Sequence, residues 1–265
     1  MADYEVLSPV IGPDRKRRYL CRPPDRLELE YDRDQVMITE IPVDAAGRQT
    51  LDDFLARFAA VGSDRLLSVI EVGPDPDAAG TVVYLVTETA PGGWLSEVAG
   101  SMSVPDRIRA VADAARGAHA LHESGLAHGA ISDRAVVLSD RGGLLSPPPL
   151  DLPAGAVTRM RDWRDVITLD PNLLGGEESS RSSDIWALGA TLHVTLSERP
   201  LYTGIEADPP VTAVQRIIFS QPEVDVELPP DLAGLIRSCL EPDPAARPST
   251  AEEVADRLQE AVPVP

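Results

Sequence analysis

The sequence predicts an α+β protein with a strand-rich first part and a helical second part. Short segments rich in β-branched and aromatic residues, separated by Pro, Asp and Gly, fill roughly the first 90 residues and are typical of strands. Beyond them, apolar residues recur at helical spacing. Strands first and helices afterwards indicate a two-lobed chain, which we divide into residues 1–89, residues 90–262 and a tail at 263–265.

The first part is predicted to hold six strands and one helix. The strands are expected at 4–10, 18–22, 26–31, 35–41, 66–72 and 81–87. Thr50 followed by Asp53 is typical of a helix start, with Thr50 as the N-cap. Apolar residues at helical spacing follow over 51–61, and Gly62 is expected to close the helix. Asp52 and Asp53 would then lie in the first turn, where the helix dipole favours carboxylates.

Four helices are predicted in the second part. Ser103 is expected to cap a helix that runs to Leu121. Residues 184–196 are apolar on nearly every face, which indicates a helix buried all round. Further helices are expected at 231–240 and after the capping box at 250–253.

Composition limits the kinds of partner. The net charge of −19 and a pI of about 4.5 argue against nucleic acid and anionic lipid. No segment approaches the ~18 consecutive apolar residues of a membrane span, and the first residues lack the pattern of a signal peptide. Cys21 and Cys239 lie far apart, which favours reduced thiols, so we expect a cytoplasmic protein.

Four segments, in order, resemble the subdomains of a bacterial, actinobacterial-like Ser/Thr protein kinase. Residues 83–95 resemble the last small-lobe strand and the hinge, and 120–128 resemble the helix that leads to the catalytic loop. Residues 183–189 resemble the start of the buried central helix, and 241–248 the turn before the final helix. The resemblance implies a two-lobed kinase fold whose large lobe is built by His128, Asp184, Trp186, Gly189 and Arg247, with Asp184 capping the central helix.

The catalytic loop departs from the family pattern H-R-D-L-x-x-x-N. Ala130 stands where the family has the aspartate that accepts the proton of the substrate hydroxyl. Ala135 stands where an asparagine binds a metal ion, and Ser132 replaces the lysine common in Ser/Thr kinases. The resemblance therefore implies that three functional positions of this loop are degenerate.

The nucleotide and metal positions depart as well. The D-F-G position falls on three prolines at 147–149, and Asp151 is a displaced carboxylate that we interpret as an ordinary loop residue. Thr39 replaces the phosphate-binding lysine, and residues 11–14 offer one glycine and a proline in place of the glycine-rich loop. We therefore expect no cofactor and no metal.

The A-P-E position is also altered. Residues 169–174 align with it, and Asn172 stands where the family has a glutamate. Arg247, which pairs with that glutamate in kinases, must bind another acceptor, and the candidates are Asn172 and Asp170.

Several other groups have more than one interpretation. His119 and His122 lie three apart, but ordinary core or surface histidines are favoured over a metal pair, and His193 is expected in the core. The basic run 15–18 fits an anion site and a solvated charged hairpin equally well. Residues 179–183 fit a helix cap better than a phosphorylation patch.

These residues favour a pseudokinase, an inactive kinase-like protein that binds another protein. The expected partner carries a basic or a phosphopeptide-binding face. Two alternatives remain open. One is an enzyme with rearranged chemistry that uses Lys16, the only lysine, together with Asp151. The other is a metal-independent sensor that holds a nucleotide at the hinge backbone.

Overall fold

The computed structural model describes residues 3–14, 16–27, 34–42, 45–74, 82–148 and 163–262, with the backbone alone at 45–50, 74 and 165. The chain divides into two compact units. The first unit comprises Met1–Gly62 and Leu67–Pro91, and the second comprises Ser63–Leu66 and Gly92–Pro265. Strands dominate the first unit and helices the second, so the predicted α+β class is confirmed.

An antiparallel five-stranded sheet forms the first unit, in the order β1-β2-β3-β5-β4. The strands are β1 Glu5–Ile11, β2 Arg17–Arg22, β3 Val36–Pro42, β4 Val69–Pro74 and β5 Val82–Glu88, and helix α1 spans Ala45–Ala59. One face of the sheet carries a core that includes Cys21, Val36 and Ile38. Alternate residues of β2 and β3 point to this core because side chains alternate between the faces of a strand.

Two predictions for the first unit are wrong. Residues 25–27 form a helical turn rather than a strand. The amide of Leu27 donates to the carbonyl of Pro24 at 2.8 Å, and the Leu27 side chain is buried in the core. The rest of this predicted strand, residues 28–31, lies outside the described part. Helix α1 begins at Ala45, so Thr50 lies within it. Asp52 and Asp53 are consequently in the middle of the helix, and the helix dipole does not explain them.

The second unit has a three-stranded sheet, in the order β6-β7-β8, and seven helices in its described part. The strands are β6 Gly93–Trp94, β7 Val136–Ser139 and β8 Gly142–Leu145. The helices are α2 Leu95–Val98, α3 Val104–Glu123, α4 Pro171–Leu174, α5 Arg181–Leu196, α6 Pro210–Phe219, α7 Pro230–Cys239 and α8 Ala251–Ala261.

The helix starts of the second unit follow the capping chemistry in the sequence. Ser103 and Thr250 are N-caps as predicted, since each side chain accepts the amide of the residue three positions on. The buried helix α5 is capped by Ser180 through a reciprocal bond with Ser183, which confirms the capping interpretation of residues 179–183. Asp184 is therefore not the cap and lies inside the helix.

Close packing around α5 depends on Gly189. A Cβ atom at Gly189 would overlap the Cβ of Cys239 on α7, and both atoms are attached directly to helix backbone. Neither atom can move aside by rotating a side chain, so only a residue without a Cβ allows this approach.

Both cysteines are buried free thiols, as the sequence predicted. Burial raises the pKa of Cys21 to about 11 and that of Cys239 to about 12. Within the described ranges, the helices are all too short or too polar to cross a membrane.

We predict that Gly189→Ala lowers the free energy of unfolding by about 1–3 kcal/mol, since overpacking outweighs the gain of about 1 kcal/mol in helix propensity. Thermal melting followed by circular dichroism measures the change. The matched control is Gly234→Ala in α7, where an added Cβ meets no atom within 4 Å. That control should be neutral or stabilising. Equal melting temperatures for the two variants would contradict this account of the α5–α7 contact.

Candidate functional site

The candidate site is the loop 128–135, whose path is set by Asp184 on α5. The amide of His128 donates to Oδ2 of Asp184 at 2.7 Å, and the amide of Gly129 donates to Oδ1 at 2.7 Å. Asp184 is almost completely buried, with 1% of its surface exposed. Both hydrogen bonds are donated by backbone amides of the loop. They give the carboxylate hydrogen-bond partners in the interior, where an unpaired polar group is costly.

Two histidines complete this network. Nε2 of His122, near the end of α3, lies 2.8 Å from Oδ2 of Asp184. Nε2 of His128 donates to the carbonyl of Ser146 at 2.9 Å, while its Nδ1 accepts the amide of Ala130 at 3.3 Å. One ring nitrogen of His128 thus donates and the other accepts, as in a neutral imidazole. Burial also lowers the pKa of His128, which favours the same neutral form.

Gly129 takes a backbone conformation that the sequence pattern did not predict. Its φ of +78° lies in the left-handed region, which side chains other than glycine rarely adopt. A Cβ at this position would also lie 2.9 Å from the Cβ of Ser179. Gly129, which stands at the arginine position of the family motif, is therefore required by the local backbone.

The loop offers few functional groups. Ala130 and Ala135 are 8% and 4% exposed, so their methyl groups face the interior. Ser132 is half-buried, and its carbonyl accepts the amide of Ala135 at 2.9 Å. Asp133 is the one carboxylate of residues 128–135, and burial raises its pKa. Asp133 falls on an unspecified position of the family pattern, so the motif does not mark it.

Strand β8 ends at Leu145, and Ser146 directly precedes the prolines at 147–149, where the resemblance places D-F-G. The amide of Ser146 donates to the carbonyl of Ala135 at 2.9 Å, which ties this segment to the loop. Residues 146–148 contain no carboxylate. Pro149 and Asp151 lie outside the described residues. The joint catalytic use of Asp151 and Lys16 therefore stays a prediction.

Arg247 finds its acceptor in Asp170. Its Nη1 donates to Oδ2 of Asp170 at 2.5 Å, and both side chains are buried. Asn172 contributes its backbone amide, which donates to Oδ1 of the same carboxylate. The guanidinium also lies over the ring of Trp186 at 5.0 Å, a cation–π distance. Asp170, one of the two candidates from the sequence, is thus the partner, and it lies two residues before the position that aligns with the glutamate of A-P-E.

Thr39 lies on β3 of the first unit and is buried. In the sheet register it is paired with Arg18 of β2 and Leu85 of β5. Arg18 binds Asp14 with both terminal nitrogens, at 2.5 and 2.7 Å, and Arg17 pairs with Glu40 at 3.3 Å. The described part of the basic run therefore has its arginines in ion pairs on a hairpin.

The remaining histidines have ordinary partners. His119 pairs with Glu252 at 3.2 Å. His193 is fully buried and accepts the amide of Asp225 at 3.1 Å, as a core histidine was expected to do. Burial lowers its pKa to about 4. The described part of the chain contains no group of three or more His, Cys, Asp or Glu residues arranged to hold a metal ion.

Several known proteins similar to this chain are protein kinases. The serine/threonine-protein kinase PknB of Mycobacterium tuberculosis is 23% identical over 219 residues, which cover 74% of this chain and 33% of that protein. PknK of the same species is 33% identical over 93 residues, covering 34% of this chain and 8% of that protein. Mitogen-activated protein kinase kinase kinase 17 of Arabidopsis thaliana is 24% identical over 183 residues, covering 61% and 46%.

No protein-family model matches the chain. The chain spans about a third of the length of PknB and less than half of the plant kinase. These similarities agree with the strand-rich first unit and the helical second unit. The fold is kinase-like.

We predict that Asp184→Ala lowers the melting temperature by many degrees or prevents folding. The substitution leaves three donors without an acceptor, two of them buried and one part-buried, at about 1–3 kcal/mol for each buried one. The matched control is Asp231→Ala, which removes an exposed carboxylate from the first turn of α7 and should cost less than about 1 kcal/mol. If both variants melt alike, Asp184 does not hold the loop.

Proposed function

We propose that this chain is a pseudokinase, a catalytically inactive kinase-like protein that acts as a protein-binding scaffold or regulator. The observation that carries the proposal is the pair of buried methyl groups at Ala130 and Ala135. They follow the two loop amides bound by Asp184, at the positions where the resemblance implies a proton acceptor and a metal ligand. A methyl group supplies neither function.

Other positions support the same proposal. Thr39 offers a hydroxyl where kinases place an ammonium group, and residues 146–148 offer no carboxylate for a metal. Loss of a general base alone costs about 10²–10⁴-fold in rate. Loss of the cation and the metal ligands removes most of the electrostatic stabilisation as well.

The proposed partner is a protein with a basic or a phosphopeptide-binding face. The net charge of −19 favours a basic surface over nucleic acid or anionic lipid. The proposal includes a cytoplasmic location, which the two free thiols support. It includes no cofactor.

An enzyme with rearranged chemistry is the second candidate. The observation that favours it is Asp133, whose pKa is raised by burial within the loop itself. Carboxyl groups with raised pKa values are common at catalytic sites, although buried structural carboxyls also show them. The other alternative, a nucleotide sensor, requires that this chain bind a nucleotide without the lysine and the metal ligands that kinases use.

We predict that millimolar ATP, with or without Mg²⁺ or Mn²⁺, leaves the melting temperature of the wild-type protein unchanged. A ligand at a hundredfold excess over its Kd would stabilise the native state by about 2.7 kcal/mol. Differential scanning fluorimetry measures this directly. A reproducible rise of several degrees would contradict the prediction and support the nucleotide sensor.

We also predict that a radiolabelled-ATP assay detects no phosphate transfer by the wild type or by Ala130→Asp. The restored carboxylate still lacks the groups missing at Thr39 and Ala135, and catalytic groups act as a unit. If a partner protein is captured from a native lysate with the same preparation, its affinity for this chain should fall steeply as salt is added. The reason is that salt screens charges and shortens the Debye length to about 3 Å at 1 M. Phosphate transfer that disappears in Asp133→Asn, Asp151→Ala or Lys16→Ala would overturn the pseudokinase proposal.

A further inference from the structure

A cavity in the second unit lies between the loop that follows α5 and the segment that follows α6. Its volume is about 410 Å³, within the range of about 300–1,000 Å³ that is usual for cavities that bind ligands. The charged groups of its lining are the carboxylates of Glu206, Glu223 and Asp225 and the guanidinium of Arg199. Val226 also lines the cavity and is 74% exposed.

Hydrogen bonds to neighbouring elements fix both sides of this cavity. The amide of Asp225 donates to Nε2 of His193 on the buried helix α5 at 3.1 Å, and the hydroxyl of Ser197 donates to Oδ2 of Asp225 at 2.6 Å. The amide of Glu223 donates to the carbonyl of Leu201 at 2.7 Å, which joins the two segments that form the walls. A site that the fold already holds in place loses little conformational freedom when a partner binds.

Phe219 is a large exposed apolar side chain near this cavity. The side of α6 that packs into the unit is formed by Ala213, Val214 and Ile217. Phe219, at the end of the helix, is 84% exposed. It precedes Glu223 by four residues, so at most about 14 Å separates their Cα atoms. Helix α6 itself adjoins the cavity, since Nη2 of Arg216 lies 3.9 Å from the position that a Cβ of Gly204 would take.

The charge of the lining favours a basic occupant. Three carboxylates lie there with one guanidinium, and Arg199 is 3.7 Å from Asp225. An incoming arginine offers a planar guanidinium that matches carboxylate oxygens, and arginine and aromatic side chains are enriched in protein interfaces. A second copy of this chain fits less well, because a two-fold contact brings the same patch of both copies together and sets carboxylates against carboxylates.

We propose that the cavity and Phe219 form a docking surface for a segment of a partner protein in which an arginine adjoins a bulky apolar side chain. The arginine enters the cavity between Glu206 and Glu223, and the apolar side chain packs on the ring of Phe219. This inference rests on the proposed function, because it gives the scaffold a surface and its partner a recognition chemistry.

Fluorescence anisotropy tests the docking surface with a defined probe, a short fluorescein-labelled peptide of alternating leucine and arginine. The full chain is titrated into the peptide at low ionic strength, and saturable binding is expected. Phe219→Ala and Glu206→Gln/Glu223→Gln should each weaken binding at least about tenfold, as expected for central interface residues. Peptides with serine in place of leucine, or glutamine in place of arginine, should bind more weakly than the original.

Matched controls separate this surface from the general acidity of the chain. Glu241→Gln/Glu260→Gln removes two charges at exposed positions outside the docking surface, and Val104→Ala shortens an apolar side chain that is 49% exposed on α3. Both controls should bind the peptide like the wild type. Melting curves confirm that every variant is folded.

The inference is overturned if the wild type shows no saturable binding, or if the controls lose as much affinity as the surface variants. Sedimentation velocity gives a further check. A wild-type dimer that Phe219→Ala dissociates would assign the surface to a second copy of this chain and would also overturn the inference. Each of these results leaves the ATP and phosphate-transfer measurements, and so the proposed lack of catalysis, unaffected.

Discussion

The carboxylate of Asp184 lies in the interior of the second unit, where its charge is tolerated only because its oxygens accept hydrogen bonds. Its donors are His122, His128 and Gly129, which precede it by 62, 56 and 55 residues. The end of α3, the following loop and α5 therefore become one hydrogen-bonded body. Since two of the donors are backbone amides, the loop takes its path from the fold and needs no bound ligand.

This arrangement shows how the fold of the second unit holds the loop 128–135 through backbone atoms. The carboxylate binds backbone atoms at His128 and Gly129, so side chains farther along the loop are not needed to hold it. Ala130 and Ala135 pack into the interior, where a methyl group is well tolerated. The Asp170–Arg247 pair acts in a comparable way elsewhere in the unit, since its two charges satisfy each other away from water.

Local chemistry in the sequence predicted much of the fold, and contacts between distant residues account for most of what it missed. The caps at Ser103 and Thr250 follow from short hydrogen bonds that a few adjacent residues specify. Thr50 fits the same capping pattern but lies inside α1, because residues before it continue the helix. The pairing of Arg247 with Asp170 spans 77 residues, and no local pattern separates Asp170 from Asn172.

Each of the two units contains one buried cysteine whose thiol is unreactive in the folded state. Cys21 lies in the core of the sheet, and Cys239 lies against Gly189 in the contact between two helices. Their raised pKa values keep the reactive thiolate scarce at neutral pH, and burial blocks access of reagents. Modification by a thiol reagent under native conditions therefore requires local opening. The rates at which the two positions react thus report the opening of the sheet and of the helical unit separately.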